Sequence, residues 1–480
     1  MSHPPHDNFH EPKDKEDATT FQSTSGDGTK TDAAHEDVQL TEPVELNLAD
    51  PHFMANAYDT YTDLRAKGPI SRVRFVTGAD KADEAPGDGA NEQRPEDFFG
   101  GETFFVTHYD EALATLLDHR FSVDPRSAMS PEELEQQPEM PEEFRLFSRS
   151  ILALDPPDHT RLRKLVQPSF TGRGMEALRG SIQQIADDLL DQAERDAAGR
   201  GEVAPDRRMD LIEAFAYPFP VTVISDMLGI PREDRETIRG WTENLLSAER
   251  IGRGREMEEE VRAGLREFID YLKELFERKR RAPTEDMISR MVHAEEDGEI
   301  LDEEEMLATV FLMFLAGHVT TVNLIGNGVV ALLKHPEQLK RLKENPELLA
   351  KGVVEETLRY WGPVEFVGRR IAKEDVALNG TVISTGEHAT VSLAAANRDP
   401  ERFVNPDVFD IGRTDANRHV AFGKGIHVCL GAPLARVEGQ VAFATLFRRY
   451  PELRLGIPDE EIRWGGGSFL RGFARLPVLF

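Results

Sequence analysis

From Met306 to Leu333 the chain carries no Lys, Arg, Asp or Glu. Such a run has two possible homes, the hydrocarbon of a bilayer or the middle of a large globular core. His318, Thr320, Thr321, Asn323 and Asn327 interrupt it, and each is costly in lipid. Asp302, followed three residues later by Glu305, gives a start like a capping box, with Asp in place of Ser or Thr. From Asp302 to Lys334 the helix would be about 50 Å long at a rise of 1.5 Å per residue. The expectation is a helix threading the core of one large domain, with a membrane span as the disfavoured rival.

The remaining composition fits that expectation. The hydrophobic share of 39% is enough for a sizeable core in 480 residues. A single cysteine excludes a disulfide framework and suits a reducing cytoplasm. The start, Met-Ser-His-Pro-Pro-His-Asp, has no basic and apolar run, which argues against a signal peptide or anchor. The net charge of −30 disfavours nucleic acid as a partner. Most of the acidic excess lies in residues 1–50, 80–97 and 131–143. Residues 1–44 lack periodicity and read as a disordered acidic tail, leaving residues 45–480 as one domain. A helix through Ala55, Tyr58 and Leu64 precedes a strand at Ile70–Phe75 and a second at Thr103–Thr107, with a surface loop at 77–102 between them. Met175 to Tyr450 is mostly helical, with strand-like runs near Val376–Leu378, Ala389–Leu393 and Ala474–Phe480.

The lone cysteine lies in Phe422-Gly-Lys-Gly-Ile-His-Val-Cys-Leu-Gly431. Gly425 and Gly431 let backbone approach a large flat ligand closely. Pro433 suits a first helical turn, and Ala432 to Tyr450 reads as helix. A sulfur just ahead of a helix N-terminus feels positive potential, which favours thiolate over thiol.

This Phe-x-x-Gly-x-His-x-Cys-x-Gly segment resembles the haem-binding loop of the cytochrome P-450 superfamily, and the resemblance covers about residues 46–480. It implies a mainly α fold with a minor β-sheet and a long central helix over the haem. It implies Cys429 as the thiolate ligand to the iron of haem b (Fe-protoporphyrin IX). Ala316-Gly317-His318-Val319-Thr320-Thr321 resembles the family's oxygen-binding segment. The implied role of Thr320, with Thr321 beside it, is to hydrogen-bond dioxygen and hold the water that delivers protons. Val319 stands where most members have an acid, which puts the usual proton relay in doubt; His318 or water chains near Thr320 are the alternative paths. Glu356-Thr-Leu-Arg359 resembles the Glu-x-x-Arg motif, with Arg402 of Pro400-Glu-Arg-Phe403 as the implied third member of a buried structural cluster. His159, Arg163, Arg370 and His427 are the implied propionate partners. The resemblance points to residues 121–150, Phe311 to Phe314, Val364 to Val367, and Ser468 to Leu470 for substrate. Of these Phe366, Val367, Phe469 and Leu470 would form an apolar wall.

The expected activity is that of a cytoplasmic monooxygenase, an oxidoreductase inserting one oxygen atom from O2 into a hydrophobic small molecule such as a lipid, steroid, terpenoid or macrolide-like compound. Electrons would come from a ferredoxin or flavodoxin with its reductase, docking by Arg161, Lys164, Arg418 and Lys424. Two rivals stand beside it. Val319 motivates a peroxide-driven peroxygenase or nitric oxide reductase-like enzyme on the same fold. A haem-binding sensor without catalysis is the rival of another class.

Overall fold

The computed structural model describes residues 42–48, 50–76, 101–136, 145–146, 148–238, 240–241, 255–294, 298–465 and 469–480. The expectations of a disordered tail, as far as residue 41, and of a surface loop at 77–102, as far as residue 100, lie outside them; Glu102, expected in the loop, is already paired with Arg74. The described chain is already paired at Val44, one residue inside the boundary expected for the tail.

Helices dominate. Those used below are α1 (Pro51–Lys67), α2 (Tyr109–Leu117), α3 (Asp158–Val166), α4 (Pro218–Leu228), α5 (Arg255–Arg281), α6 (Glu303–Lys334), α7 (Pro346–Trp361) and α8 (Ala432–Arg449). The main sheet has β1 (Val44–Asn47), β2 (Ile70–Val76), β3 (Glu102–Val106), β4 (Phe121–Ser122), β5 (Phe366–Ala372) and β6 (His388–Ser392), in spatial order β1-β2-β3-β6-β5-β4. The two strands expected to pair, β2 and β3, do so antiparallel, with Ile70 opposite Val106. One apolar cluster lies between β1–β3 and α1, a second joins the sheet to α2, and the largest is helical.

The charge-free run forms the body of α6. Its start is a true capping box: Glu305 N–H donates to Asp302 Oδ1 at 2.8 Å, and Asp302 N–H donates to Glu305 Oε2 at 3.0 Å. Its end comes at His335, before Pro336. Most of α6 is buried against α4, α7 and α8, so this membrane-length helix is a core helix. Gly328 makes that packing possible. A Cβ there would lie 2.3 Å from the Phe443 ring of α8 and 3.1 Å from Thr357 Oγ1 of α7.

Candidate active site

The cysteine loop is folded by its own backbone. Cys429 N–H donates to Phe422 O at 2.9 Å, and Val428 N–H donates to Gly425 O at 3.1 Å. Gly425 has φ +74°, and a Cβ on it would meet Leu116 O of α2 at 2.5 Å. The loop is thus pressed against the end of α2 as only glycine allows. The Cys429 side chain is accessible, although protein surrounds it closely. Burial raises the thiol pKa, against the pull of the Gly431 and Ala432 N–H groups and of Arg163 and Arg436. The helix N-terminus expected to favour thiolate is present but is outweighed by desolvation.

Around the loop stand the four expected donors. The His159 and His427 rings are 4.5 Å apart, centroid to centroid. Neither ring nitrogen of buried His159 has a hydrogen-bond partner, nor does His427 Nε2. Burial lowers the His159 pKa to about 4, helped by His427 and Arg163, so this imidazole is neutral at pH 7. Arg370 donates to carbonyls of its own strand, Gly368 at 3.3 Å and Arg369 at 3.2 Å. Burial lowers its pKa to about 10, with Asp155 opposing. Arg163 differs: its Nη1 holds Ile426 O at 3.2 Å and Val428 O at 2.9 Å, so it pins the cysteine loop. Orphaned buried imidazole nitrogens beside a guanidinium bonded only to neutral carbonyls are donors in search of acceptors. This chemistry fits carboxylates, and hence haem propionates. Asp155, an unexpected member, binds Ser122 and the Val123 N–H and lies 4.0 Å from His427 Nε2. Burial would raise its pKa, but those contacts win and hold it at about 2.

Within α6, buried residues give way to an accessible stripe at Leu312, Ala316, Val319 and Thr320, spaced along one helix face. Ala316 is exposed although it sits mid-helix. Thr320 Oγ1 donates to Ala316 O at 2.8 Å, and Thr321 Oγ1 to Gly317 O at 3.2 Å. Such i→i−4 bonds loosen the local helix.

Behind the loop, Glu356 and Arg359 are fully buried and paired twice, each bond 2.8 Å. Arg359 also holds Pro406 O at 2.7 Å, Asn397 O at 3.1 Å and Val408 O at 3.1 Å. The third member is Arg413, whose Nε lies 3.3 Å from Glu356 Oε1. The expectation for Arg402 fails. Its guanidinium lies over the Tyr109 ring at 5.1 Å and the Phe403 ring at 5.7 Å, because its turn aims it at α2. A second cluster was not foreseen: Arg436 binds Glu355 at 2.6 Å, His419 Nε2 binds it at 3.2 Å, and Arg436 covers the Phe422 ring at 4.7 Å.

A family model described as Cytochrome P450 matches residues 142–455. The chain belongs to the cytochrome P450 family. It is 42% identical over 375 residues to the polyketide biosynthesis cytochrome P450 PksS of Bacillus subtilis (strain 168), covering 78% of this chain and 88% of that protein. It is 41% identical over 436 residues to the cytochrome P450 monooxygenase PikC of Streptomyces venezuelae, covering 91% and 94%. A crystal structure of the myxobacterial cytochrome P450 CYP267B1 in complex with myristic acid matches with TM-score 0.76 and 38% identity, covering 90% of this chain and 98% of that one. The P450 fold and the oxidoreductase class, monooxygenase, follow.

The substrate wall of this P450 needs correction at four residues. Phe311 and Phe314 pack on Phe268 of α5, with centroids 6.2 and 5.7 Å away. Helical periodicity puts them, with His318, off the accessible stripe. Phe366 stacks on Phe75 at 5.1 Å, and Phe469 joins the same cluster under α1. Strand alternation and a bend at Glu365 separate them from Val364, Val367 and Leu470. His318, one of the two alternative proton paths, turns its ring to Tyr217, 4.8 Å away. Arg161, expected at the docking face, is bonded to Glu305.

One more acid lies by the oxygen segment. Glu438 of α8 is buried, and its Oε2 lies 3.4 Å from Thr321 Oγ1, whose own proton goes to Gly317 O. Burial raises its pKa well above the ordinary carboxyl range. The signal was a single carboxylate between Val437 and Gly439 in an otherwise apolar helix face.

Proposed function

We propose a soluble, cytoplasmic haem b monooxygenase, with the chain from Val44 to Phe480 as its haem domain and the residues before Val44 dispensable. It hydroxylates or epoxidises a hydrophobic small molecule, as the named relatives' links to polyketides and a bound fatty acid support. The carrying observation is the accessible Cys429 beside a cradle of unpartnered donors. Haem, when bound, supplies reductive activation of O2; substrate, O2, two electrons and two protons give oxygenated product and water.

The chain's own residues do the rest. Cys429 ligates the iron, and the Gly431 and Ala432 N–H groups support its charge. Arg163 fixes the two carbonyls flanking that sulfur's loop. His159, His427 and Arg370 hold the propionates. Ala316 leaves space, Gly317 lets α6 pack on Ile224 of α4, and Thr320 would offer its hydroxyl to the bound oxygen. Val319 cannot exchange a proton. Glu438 can, since burial favours its protonated form, and Thr321 links it to the oxygen segment. Leu312, Val364, Val367 and Leu470 form the substrate wall. A ferredoxin or flavodoxin with its reductase supplies the electrons, docking where Arg418 and Lys424 are exposed beside the cysteine loop.

The test is spectroscopic and then kinetic. The reduced protein with carbon monoxide should show the red-shifted Soret band of a thiolate ligand. Product formed per reductant consumed should be high for a substrate that shifts the Soret band. Val319 alone favours the peroxide-driven reading. Strong peroxide-driven turnover with negligible O2-dependent turnover would establish that reading instead.

A further inference from the structure

Glu365, which follows shortly after the Glu356–Arg359 pair in the chain, forms a second wholly buried ion pair with Arg471. Tyr61 Oη of α1 donates to Glu365 Oε2 at 2.5 Å, and Arg471 Nη2 donates to Met54 O of α1 at 2.8 Å. Arg471 also lies over the Trp464 ring at 4.3 Å and the Tyr58 ring at 5.0 Å. A buried pair of this kind gives no better stability than a well-packed apolar replacement. What it fixes is geometry, and here the geometry concerns two short segments.

Residues 363–367 and 469–471 run antiparallel. Glu365 N–H donates to Phe469 O at 2.9 Å, and Arg471 N–H donates to Pro363 O at 2.8 Å. Between these bonds Val364 pairs with Leu470. The charged side chains point to α1, and alternation sends the Val364–Leu470 pair the other way. The same ladder is tethered to α6. Asn327 Nδ2 donates to Arg471 O at 3.0 Å and to Trp361 O at 2.9 Å. Asn327 lies two helical turns beyond Thr320, roughly 10 Å along the axis.

We propose that the Glu365–Arg471–Tyr61 clamp is the positioning device of the substrate wall. It holds Val364 and Leu470 at a set offset from the oxygen segment and so selects substrates by reach. This rests on the haem-site reading above. Glu365, Arg471 and Tyr61 touch no substrate; they act through Val364 and Leu470. The N-terminal helix α1 thereby becomes part of the specificity apparatus.

The test compares two iron ligands on the full-length holoprotein. Imidazole is the small ligand, and 4-phenylimidazole extends it by a phenyl ring into the substrate space. In Tyr61→Phe, a mild change that leaves the ion pair, and in Glu365→Gln, the carbon monoxide spectrum should remain of thiolate type. The dissociation constant for 4-phenylimidazole should rise at least about fivefold, with that for imidazole within about twofold. Parallel changes in both constants, or a lower thermal midpoint with the ratio of constants unchanged, would overturn the proposal. If Glu365→Gln fails to load haem, Tyr61→Phe decides alone. A wild-type protein without a thiolate spectrum would refute the haem reading and is a distinct result.

Discussion

The two sides of the cysteine loop differ in how their polar groups are satisfied. Behind it, Glu356, Arg359 and Arg413 use nearly every donor and acceptor they have on one another and on five backbone carbonyls between Asn397 and Val408. In front of it, His159 has no partner on either nitrogen and Arg370 reaches only its own strand. A saturated network fixes a shape on its own. An unsaturated one is costly until a ligand completes it. The difference marks which side is scaffold and which side binds.

The contrast can be broken most completely at the point where the two sides meet. Cys429→Ala should abolish the thiolate-type carbon monoxide spectrum, since the chain has no second cysteine. Retention of that spectrum would sink the assignment. On the saturated side, Glu356→Gln leaves Arg359 and Arg413 buried without their carboxylate. A loss of about 3–5 kcal/mol is expected, read as failure to retain haem or a lowered denaturation midpoint. A variant as stable as wild type would show that the cluster does not hold the loop.

A third test separates the second saturated cluster by pH. Burial pushes the Glu355 carboxyl up, but hydrogen bonds from His419 and Arg436 outweigh it, and its folded pKa is held at about 2 against 4.5 for the free group. The folded value is depressed, so this stability is present above about pH 4.5 and drains away as pH falls toward 2. Its size is a few kcal/mol. The stability gap between wild type and Glu355→Gln, followed by denaturant titration, should be full at pH 6 and shrink steadily below pH 4.5. A gap that is flat with pH would deny Glu355 its charged role.

Legibility in the sequence followed the same division. Features set by local spacing were readable: the capping box at Asp302 and Glu305, the helix it starts, the pairing of Glu356 with Arg359 three residues on, and the glycine-bound cysteine loop. Features that depend on which distant segment returns to a site were not. Arg402 and Arg413 are both arginines near turns, and only the path of the chain after Phe403 decides which reaches Glu356. Phe311 and Phe314 were readable as helical and apolar, but not as facing Phe268 instead of the accessible stripe. Glu438 left a local signal, one acid on an apolar face, whose meaning depended on Thr321 lying across from it.

That last pair sharpens the comparison on the binding side, where Val319 leaves the oxygen segment without its usual acid. Glu438 and Thr321 supply what Val319 lacks if the proton comes from α8. Glutamine has nearly the shape of the neutral acid and can hydrogen-bond Thr321 Oγ1 through its amide, but it has no acidic proton. Glu438→Gln should therefore keep haem, fold and substrate-induced Soret shift. Product formed per reductant consumed should fall about 10²-fold, the lower end of what a general acid contributes. The complementary variant should do far less. Val319→Glu restores an acid on the accessible stripe, yet with Glu438 in place the relay is already supplied. Its coupling should stay within about twofold of wild type. If instead Val319→Glu raised coupling strongly and Glu438→Gln changed nothing, the proton would come from the stripe's own side, and the buried carboxyl of α8 would be structural. The two variants together distinguish a displaced relay from a missing one, because only a displaced relay makes Glu438 indispensable while leaving position 319 nearly silent.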